Sequence, residues 1–262
     1  HAALEPLCKI SLLLMGGFIR CFLGDYAGSH RDVEQGLEIA RQEGVHVVDP
    51  LLLAVGCYST LTIGSLAEAD AYLDECGRFL AVHRRDLDIS HYQFLRSWRD
   101  MLAGDLPRSH EAARMALELA QQVGAAYPVA LCRCGLAHTL VELGRGEEAM
   151  REILLARGEG QKPASPLIQY CGDVLEAHYL FRSGREADGL RSVSDGLRRS
   201  RLMGVPHPLY YRPELMTEFY AKALENVPDD PIIRNDIRKS WLATDRIPNH
   251  LDTWPFPVKI YT

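Results

Sequence analysis

The chain has 262 residues, of which 47% are hydrophobic and 24% are charged. This composition is ordinary for a globular protein that can bury a sizeable core without disulfides or metals. The net charge of -6 argues against a nucleic-acid-binding surface, because neutralising phosphates requires a clustered excess of Lys and Arg. The seven cysteines are scattered among apolar residues, which is typical of a reducing compartment and not of a disulfide framework. We therefore expect a cytoplasmic protein without a membrane span.

A glycine recurs every 40 residues and begins a similar short phrase each time, such as Gly24-Asp-Tyr-Ala or Gly104-Asp-Leu-Pro. A glycine followed by a short polar step is typical of a helix C-cap, a turn and the start of a new helix. A fixed period of this length predicts stacked helical hairpins. The five repeat glycines are Gly24, Gly64, Gly104, Gly144 and Gly184.

Small residues occupy fixed positions relative to these repeat glycines. The position five places after the glycine holds Ser29, Ala69, Ser109, Ala149 and Gly189. The position twelve places after it holds Gly36, Cys76, Ala116, Ala156 and Gly196. The position seven places before it holds Gly17, Cys57, Ser97, Ala137 and Ala177. Small residues at fixed helical positions allow two helices to approach closely, so these columns predict helix–helix interfaces.

The pattern predicts an all-α fold made of antiparallel helix pairs. A repeat domain of about six pairs is expected over residues 1–245, and a linker with the truncated start of a following domain over 246–262. The predicted first helices of the pairs are 6–23, 49–63, 88–103, 127–143, 166–183 and 208–225. The predicted second helices are 27–43, 66–84, 107–123, 146–158, 186–203 and 230–243.

The columns resemble the tetratricopeptide repeat, although the period is 40 residues and not 34. The longer form is similar to the repeats of large bacterial ATP-dependent transcriptional activators of the maltose-regulon type. The final segment, which begins at Trp254-Pro-Phe-Pro, resembles the start of a winged-helix DNA-binding domain. The resemblance implies a right-handed superhelical solenoid that senses a ligand or mediates assembly, placed between an upstream NTPase and a downstream DNA-binding domain.

No motif in the chain predicts catalysis or a cofactor. Glycine-rich phosphate-binding loops and the nucleophile elbow of acyl-transfer enzymes do not occur in the sequence. Cys132, Cys134 and His138 are close in sequence, but side chains two residues apart on a helix point some 200° apart and do not converge on a metal. The paired carboxylates Glu147 and Glu148 fit the start of a helix. We therefore expect a non-enzymatic protein with no catalytic residue, cofactor or metal site.

An aromatic or imidazole ring stands six places before each repeat glycine, and we call this set the aromatic column. Its members are Phe18, Tyr58, Trp98, His138 and His178. In the tetratricopeptide family this position faces the concave groove, so the resemblance implies a binding surface there; hydrophobicity favours burial between helices instead. A groove-facing Trp98 would keep an accessible ring face. The candidate binding residues are Tyr58, Phe94, Trp98, Met101, His138, Glu142, His178, Phe181 and Arg182.

Two functions follow from this interpretation. The first is a ligand- or partner-binding repeat segment of a bacterial transcriptional regulator, which senses an inducer or mediates assembly. The second is a free-standing scaffold that captures a peptide or a protein helix in its groove. The expected partner is a small-molecule inducer or a protein in the groove, with self-association as a further mode and with no direct contact to nucleic acid or membrane.

Overall fold

The computed structural model describes residues 4–158 and 165–226, together with Ile233. Within these residues the chain is all-helical, with eleven helices and no strand. The helices are α1 (Leu4–Phe22), α2 (Tyr26–Glu43), α3 (Asp49–Thr62), α4 (Leu66–Val82), α5 (Asp86–Leu102), α6 (Leu106–Val123), α7 (Ala126–Glu142), α8 (Gly146–Arg157), α9 (Pro166–Arg182), α10 (Glu186–Met203) and α11 (Pro213–Asn226).

The all-α prediction is confirmed, and the bounds of α1 to α10 lie within a few residues of the predicted ones. The clearest difference is α11, which begins at Pro213 and not at residue 208. Pro208 disfavours helical backbone in the residue before it, Tyr210 adopts a positive φ of 62°, and proline suits the first turn of a helix. The predicted helix 230–243 and the predicted linker at 246–262 lie outside the described residues. The solenoid and its handedness stay predictions.

The chain divides into two compact units, His1–Gly135 and Leu136–Thr262. We call them the N-terminal unit and the C-terminal unit. The N-terminal unit contains α1 to α6 and the first part of α7. The C-terminal unit contains the end of α7 and α8 to α11.

The N-terminal unit consists of packed neighbouring helices, with α1 against α2, α3 against α4 and α5 against α6. The columns of small residues meet where these helices touch. The Ser29 hydroxyl donates to the Gly17 carbonyl at 2.8 Å, and two repeats later the Ser97 hydroxyl donates to the Ser109 carbonyl at 2.8 Å. Ala116 is fully buried. The prediction that these columns form helix–helix interfaces is therefore confirmed in this unit.

The repeat glycines end the first helix of each pair in the same way. All five have a positive φ, between 71° and 82°, which residues with a Cβ rarely adopt. The amide of the next residue donates to the carbonyl five positions earlier in every case, at 2.8–2.9 Å. This is the 6→1 bond of a Schellman cap. One turn geometry thus accounts for the 40-residue glycine period.

In the C-terminal unit, α9 packs against α8, α10 and α11. A buried carboxylate joins three of these helices: Asp173 of α9 pairs with Arg157 of α8 at 2.8 Å and with Arg199 of α10 at 2.7 Å. Burial raises the pKa of Asp173, and the two guanidinium groups offset only part of that rise. The packing of this unit therefore depends on paired charges as well as on apolar contact.

Candidate functional site

The aromatic column of the N-terminal unit forms a continuous stack of rings. The Phe18 and Tyr58 ring centroids are 6.3 Å apart, and those of Tyr58 and Trp98 are 6.0 Å apart. Equivalent positions on successive first helices are thus adjacent, as the repeat predicts. Trp98 is only 1% exposed, so the prediction that it keeps an accessible ring face is wrong. Packing ring against ring removes a large apolar area from water, and this favours the core position.

The other candidates in this unit are buried too. Tyr58, Phe94 and Met101 have almost no accessible surface, so the expected groove-facing orientation is wrong for them as well. The one polar group of the stack has a partner, because the Tyr58 hydroxyl donates to Nε2 of His91 at 2.8 Å. Burial lowers the pKa of His91 to about 4, which keeps the ring neutral and able to accept this bond.

A cavity of about 520 Å³ lies in the C-terminal unit, and three of the predicted site residues line it. Glu142 is the last residue of α7, while His178 and Arg182 are one turn apart on the same face of α9. The cavity is lined by Glu142, His178, Arg182, Arg212, Glu214, Leu215, Glu218, Ala221 and Lys222. The volume is in the range of small-molecule sites.

The remaining two candidates lie beside this cavity without lining it. His138 is fully buried, which contradicts a groove-facing ring at that position, and its Nε2 lies 3.7 Å from Oε1 of Glu142. Phe181 packs toward α10, since a Cβ added at Gly189 would lie 2.5 Å from its ring. The ammonium of Lys222 lies 5.7 Å from the centroid of the Phe181 ring.

Sequence reasoning missed the contribution of α11. Glu214, Glu218 and Lys222 are spaced four residues apart, so they share one helix face toward the cavity. The sixth repeat lacks the repeat glycine, and the columns could not be extended into it. The i, i+4, i+8 spacing of charged residues was the signal that could have found this face.

The Glu142 carboxylate is the centre of the polar contacts in the cavity. Its Oε2 accepts a hydrogen bond from Arg212 at 2.8 Å. Its Oε1 lies 3.7 Å from Nε2 of His138 and 3.9 Å from Nε2 of His178. Burial alone would raise the pKa of Glu142, but hydrogen bonding and charge from His138 and Arg212 outweigh it and lower the pKa to about 2. The contribution of Arg212 requires no proton on the neighbouring rings.

Both imidazoles are fixed through Nδ1. Nδ1 of His138 lies 3.2 Å from the carbonyl oxygen of Tyr210, and Nδ1 of His178 lies 2.5 Å from Oε2 of Glu218. The Nε2 atoms of both rings are buried and have no hydrogen-bond partner. The arrangement therefore offers polar groups without partners at the side of the cavity where Glu142 lies.

The described residues limit what else this site can hold. No group of three or more His, Cys, Asp or Glu side chains in residues 4–158 and 165–226 is arranged to hold a metal ion. None of the helices described above is both long and apolar enough to cross a membrane. Comparison with known proteins found no matching family model and no matching curated protein.

Proposed function

We propose that this chain is a non-catalytic, ligand-binding repeat segment of a bacterial transcriptional regulator, and that the cavity of the C-terminal unit is its effector site. The observation that carries the proposal is a cavity of about 520 Å³ lined by Glu142, His178 and Arg182. Buried polar atoms without partners lie beside it, and such atoms are costly unless a ligand or water satisfies them. The regulator part rests on the resemblance of the repeat columns and of the final segment.

The proposed mechanism is conformational. Glu142 ends α7, His178 lies on α9 and Glu218 lies on α11, so a ligand that contacts all three favours one arrangement of these helices. A ligand shifts an equilibrium only by its differential affinity for the two states. Contacts to three separate helices supply such a difference.

The scaffold function requires an accessible apolar groove along the aromatic column. The burial of Tyr58 and Trp98 removes that surface from the N-terminal unit. The cavity in the C-terminal unit has three carboxylates and three cationic side chains in its lining, which suits a small polar molecule better than the apolar face of a peptide helix. We therefore favour the effector site.

A thermal-shift screen with sugars, amino acids and aromatic metabolites tests the effector site. A bound ligand at about 100 times its dissociation constant adds roughly 2.7 kcal/mol of stability. The shift should disappear in Arg182→Ala and persist in Arg198→Ala, a matched control in the same unit whose printed partner is the exposed Asp195. A shift that survives Arg182→Ala, or no shift with any compound, would contradict the effector site.

The regulator assignment has its own test in the flanking sequence of the full-length gene product. An NTPase with a phosphate-binding loop upstream and a winged-helix domain downstream would support it. The absence of both would contradict it.

A further inference from the structure

The tautomers of His138 and His178 follow from their partners. A carbonyl oxygen only accepts hydrogen bonds, so the Nδ1 of His138 that faces Tyr210 carries the proton. An ionised carboxylate also only accepts, so the Nδ1 of His178 that faces Glu218 carries the proton as well. In the neutral ring, Nε2 is then a hydrogen-bond acceptor. Each ring thus presents a lone pair at its unpartnered end.

Three acceptors converge at this point. Both Nε2 atoms face Oε1 of Glu142, at 3.7 Å from His138 and 3.9 Å from His178. These separations are too long for direct hydrogen bonds. They leave room for one atom that contacts all three acceptors. The His138 side chain is fully buried, and the His178 side chain is 14% exposed, so bulk water has little access to replace the missing donors.

We infer that the effector is a small zwitterion, similar to an amino acid, whose primary ammonium group binds between His138, His178 and Glu142 and whose carboxylate binds Arg182. This inference rests on the proposed function and names its ligand class. A primary ammonium has three N–H donors, one for each acceptor. With neutral rings the nearby carboxylates of Glu142, Glu214 and Glu218 face the single guanidinium of Arg212, so a cation balances the charge.

Arg182 supplies the anion-binding end. It lies one helical turn after His178 on the same face of α9, lines the cavity and is exposed. It has no ion pair within the part of the chain that the structure describes, whereas the other two cations of the lining, Arg212 and Lys222, each pair with a glutamate. A free guanidinium fork matches a carboxylate. The ligand therefore carries its two charges within about one helical turn of each other.

Protonation of both rings is the competing state. Imidazolium rings would donate from Nε2 toward Glu142 and leave no acceptor for an ammonium. Nitrogen-15 NMR of histidine-labelled protein separates the two states, with His138→Gln and His178→Gln to assign the signals. The expected result near neutral pH, without ligand, is a neutral Nδ1–H tautomer at both rings. Imidazolium at both rings would overturn the inference.

A titration followed by the same NMR signals tests the ligand class. The probes are the unbranched amino acids from glycine to 6-aminohexanoate, each paired with its N-trimethyl analogue, which keeps the charge but has no N–H donor. At least one primary amine should give saturable shifts at both Nε2 atoms, and its trimethyl analogue should bind at least about tenfold more weakly. Equal binding of the two members of every pair, or no saturable shift, would overturn the inference.

Variants locate the site of binding. Glu142→Gln and Arg182→Gln should each weaken the binding of the selected amino acid by at least about tenfold, while Glu148→Gln, a glutamate of the same unit outside the cavity lining, should stay within about twofold. Arg182 is exposed, so its variant is expected to fold. Unchanged affinity in Arg182→Gln would contradict the carboxylate contact.

The outcomes separate this inference from the proposed function. If a sugar or an aromatic compound binds in a manner that depends on Arg182 while no amino acid binds, the ligand class is wrong and the effector site stands. If no compound of any class binds, the effector site itself is wrong.

Discussion

In the N-terminal unit the aromatic column carries Phe18, Tyr58 and Trp98, whose rings pack on one another and are removed from solvent. In the C-terminal unit the same column carries His138 and His178, which contact the carboxylate of Glu142 beside a cavity. The repeat thus sets where a side chain lies, whereas the residue type decides whether the position becomes apolar core or part of a polar site. Exchanging an aromatic ring for an imidazole retains the shape and adds two nitrogens that require partners.

The largest expected effect is at the apolar end of the comparison. Trp98→Ala should lower the free energy of unfolding by roughly 3–5 kcal/mol, because it leaves a cavity in a packed aromatic core. Urea denaturation measures this loss. Replacement of the exposed Val82 by Ala is the control and should change the free energy by less than about 1 kcal/mol. A loss of similar size in both variants would show that Trp98 is not a core residue.

The charged packing of the C-terminal unit should give the next largest effect. Asp173→Asn leaves the guanidinium groups of Arg157 and Arg199 without their shared carboxylate, and roughly 3 kcal/mol of stability should be lost. Asp195→Asn removes an exposed pair with Arg198 and should cost less than about 0.5 kcal/mol. Equal losses in urea denaturation would mean that the buried position gives Asp173 no special weight.

Glu142 should make stability depend on pH. Its pKa is lowered in the folded protein from 4.5 to about 2, so the ionised carboxylate stabilises the fold above about pH 4.5, and this contribution is lost as the pH falls toward 2. Glu142→Gln should therefore be roughly 2–3 kcal/mol less stable than the wild type at neutral pH. The gap should narrow in acid. A gap that stays constant between about pH 7 and about pH 3 would contradict the assigned pKa.

The smallest effect tests what the two units share. Gly104 and Gly184 have φ values of 82° and 71°, with open space where a Cβ would stand. Replacing either with Ala should cost about 1–2 kcal/mol from backbone strain alone. Thermal unfolding should show similar losses for both variants. An unchanged melting temperature in one of them would mean that the repeat turns are not equivalent.

Much of the fold could be predicted from the sequence, because the information is local and periodic. The repeat glycines mark a turn with one required backbone conformation, and small residues such as Ser29 and Ser97 mark the helix contacts. These features depend on neighbours within a single hairpin. The period therefore predicts ten of the helices to within a few residues.

The orientation of the aromatic column could not be predicted in the same way. Whether Trp98 is covered depends on Tyr58, which is 40 residues distant in the chain but 6.0 Å away between ring centroids. The period gives equivalent positions without saying which neighbour covers them. For the same reason the cavity was only partly predicted: Arg212 follows an irregular segment in which Tyr210 has a positive φ, and no repeat pattern extends there.

The central claim is that one column is core in the N-terminal unit and part of a binding site in the C-terminal unit. The most direct test measures unfolding free energy and ligand-induced thermal shift together in Trp98→Ala and His178→Ala, with the compound that gives the largest shift in the metabolite screen. We expect His178→Ala to keep its stability within about 1 kcal/mol and to lose the thermal shift, and Trp98→Ala to lose roughly 3–5 kcal/mol and to retain the shift. A thermal shift that persists in His178→Ala, or that disappears in a fully stable Trp98→Ala, would contradict the claim.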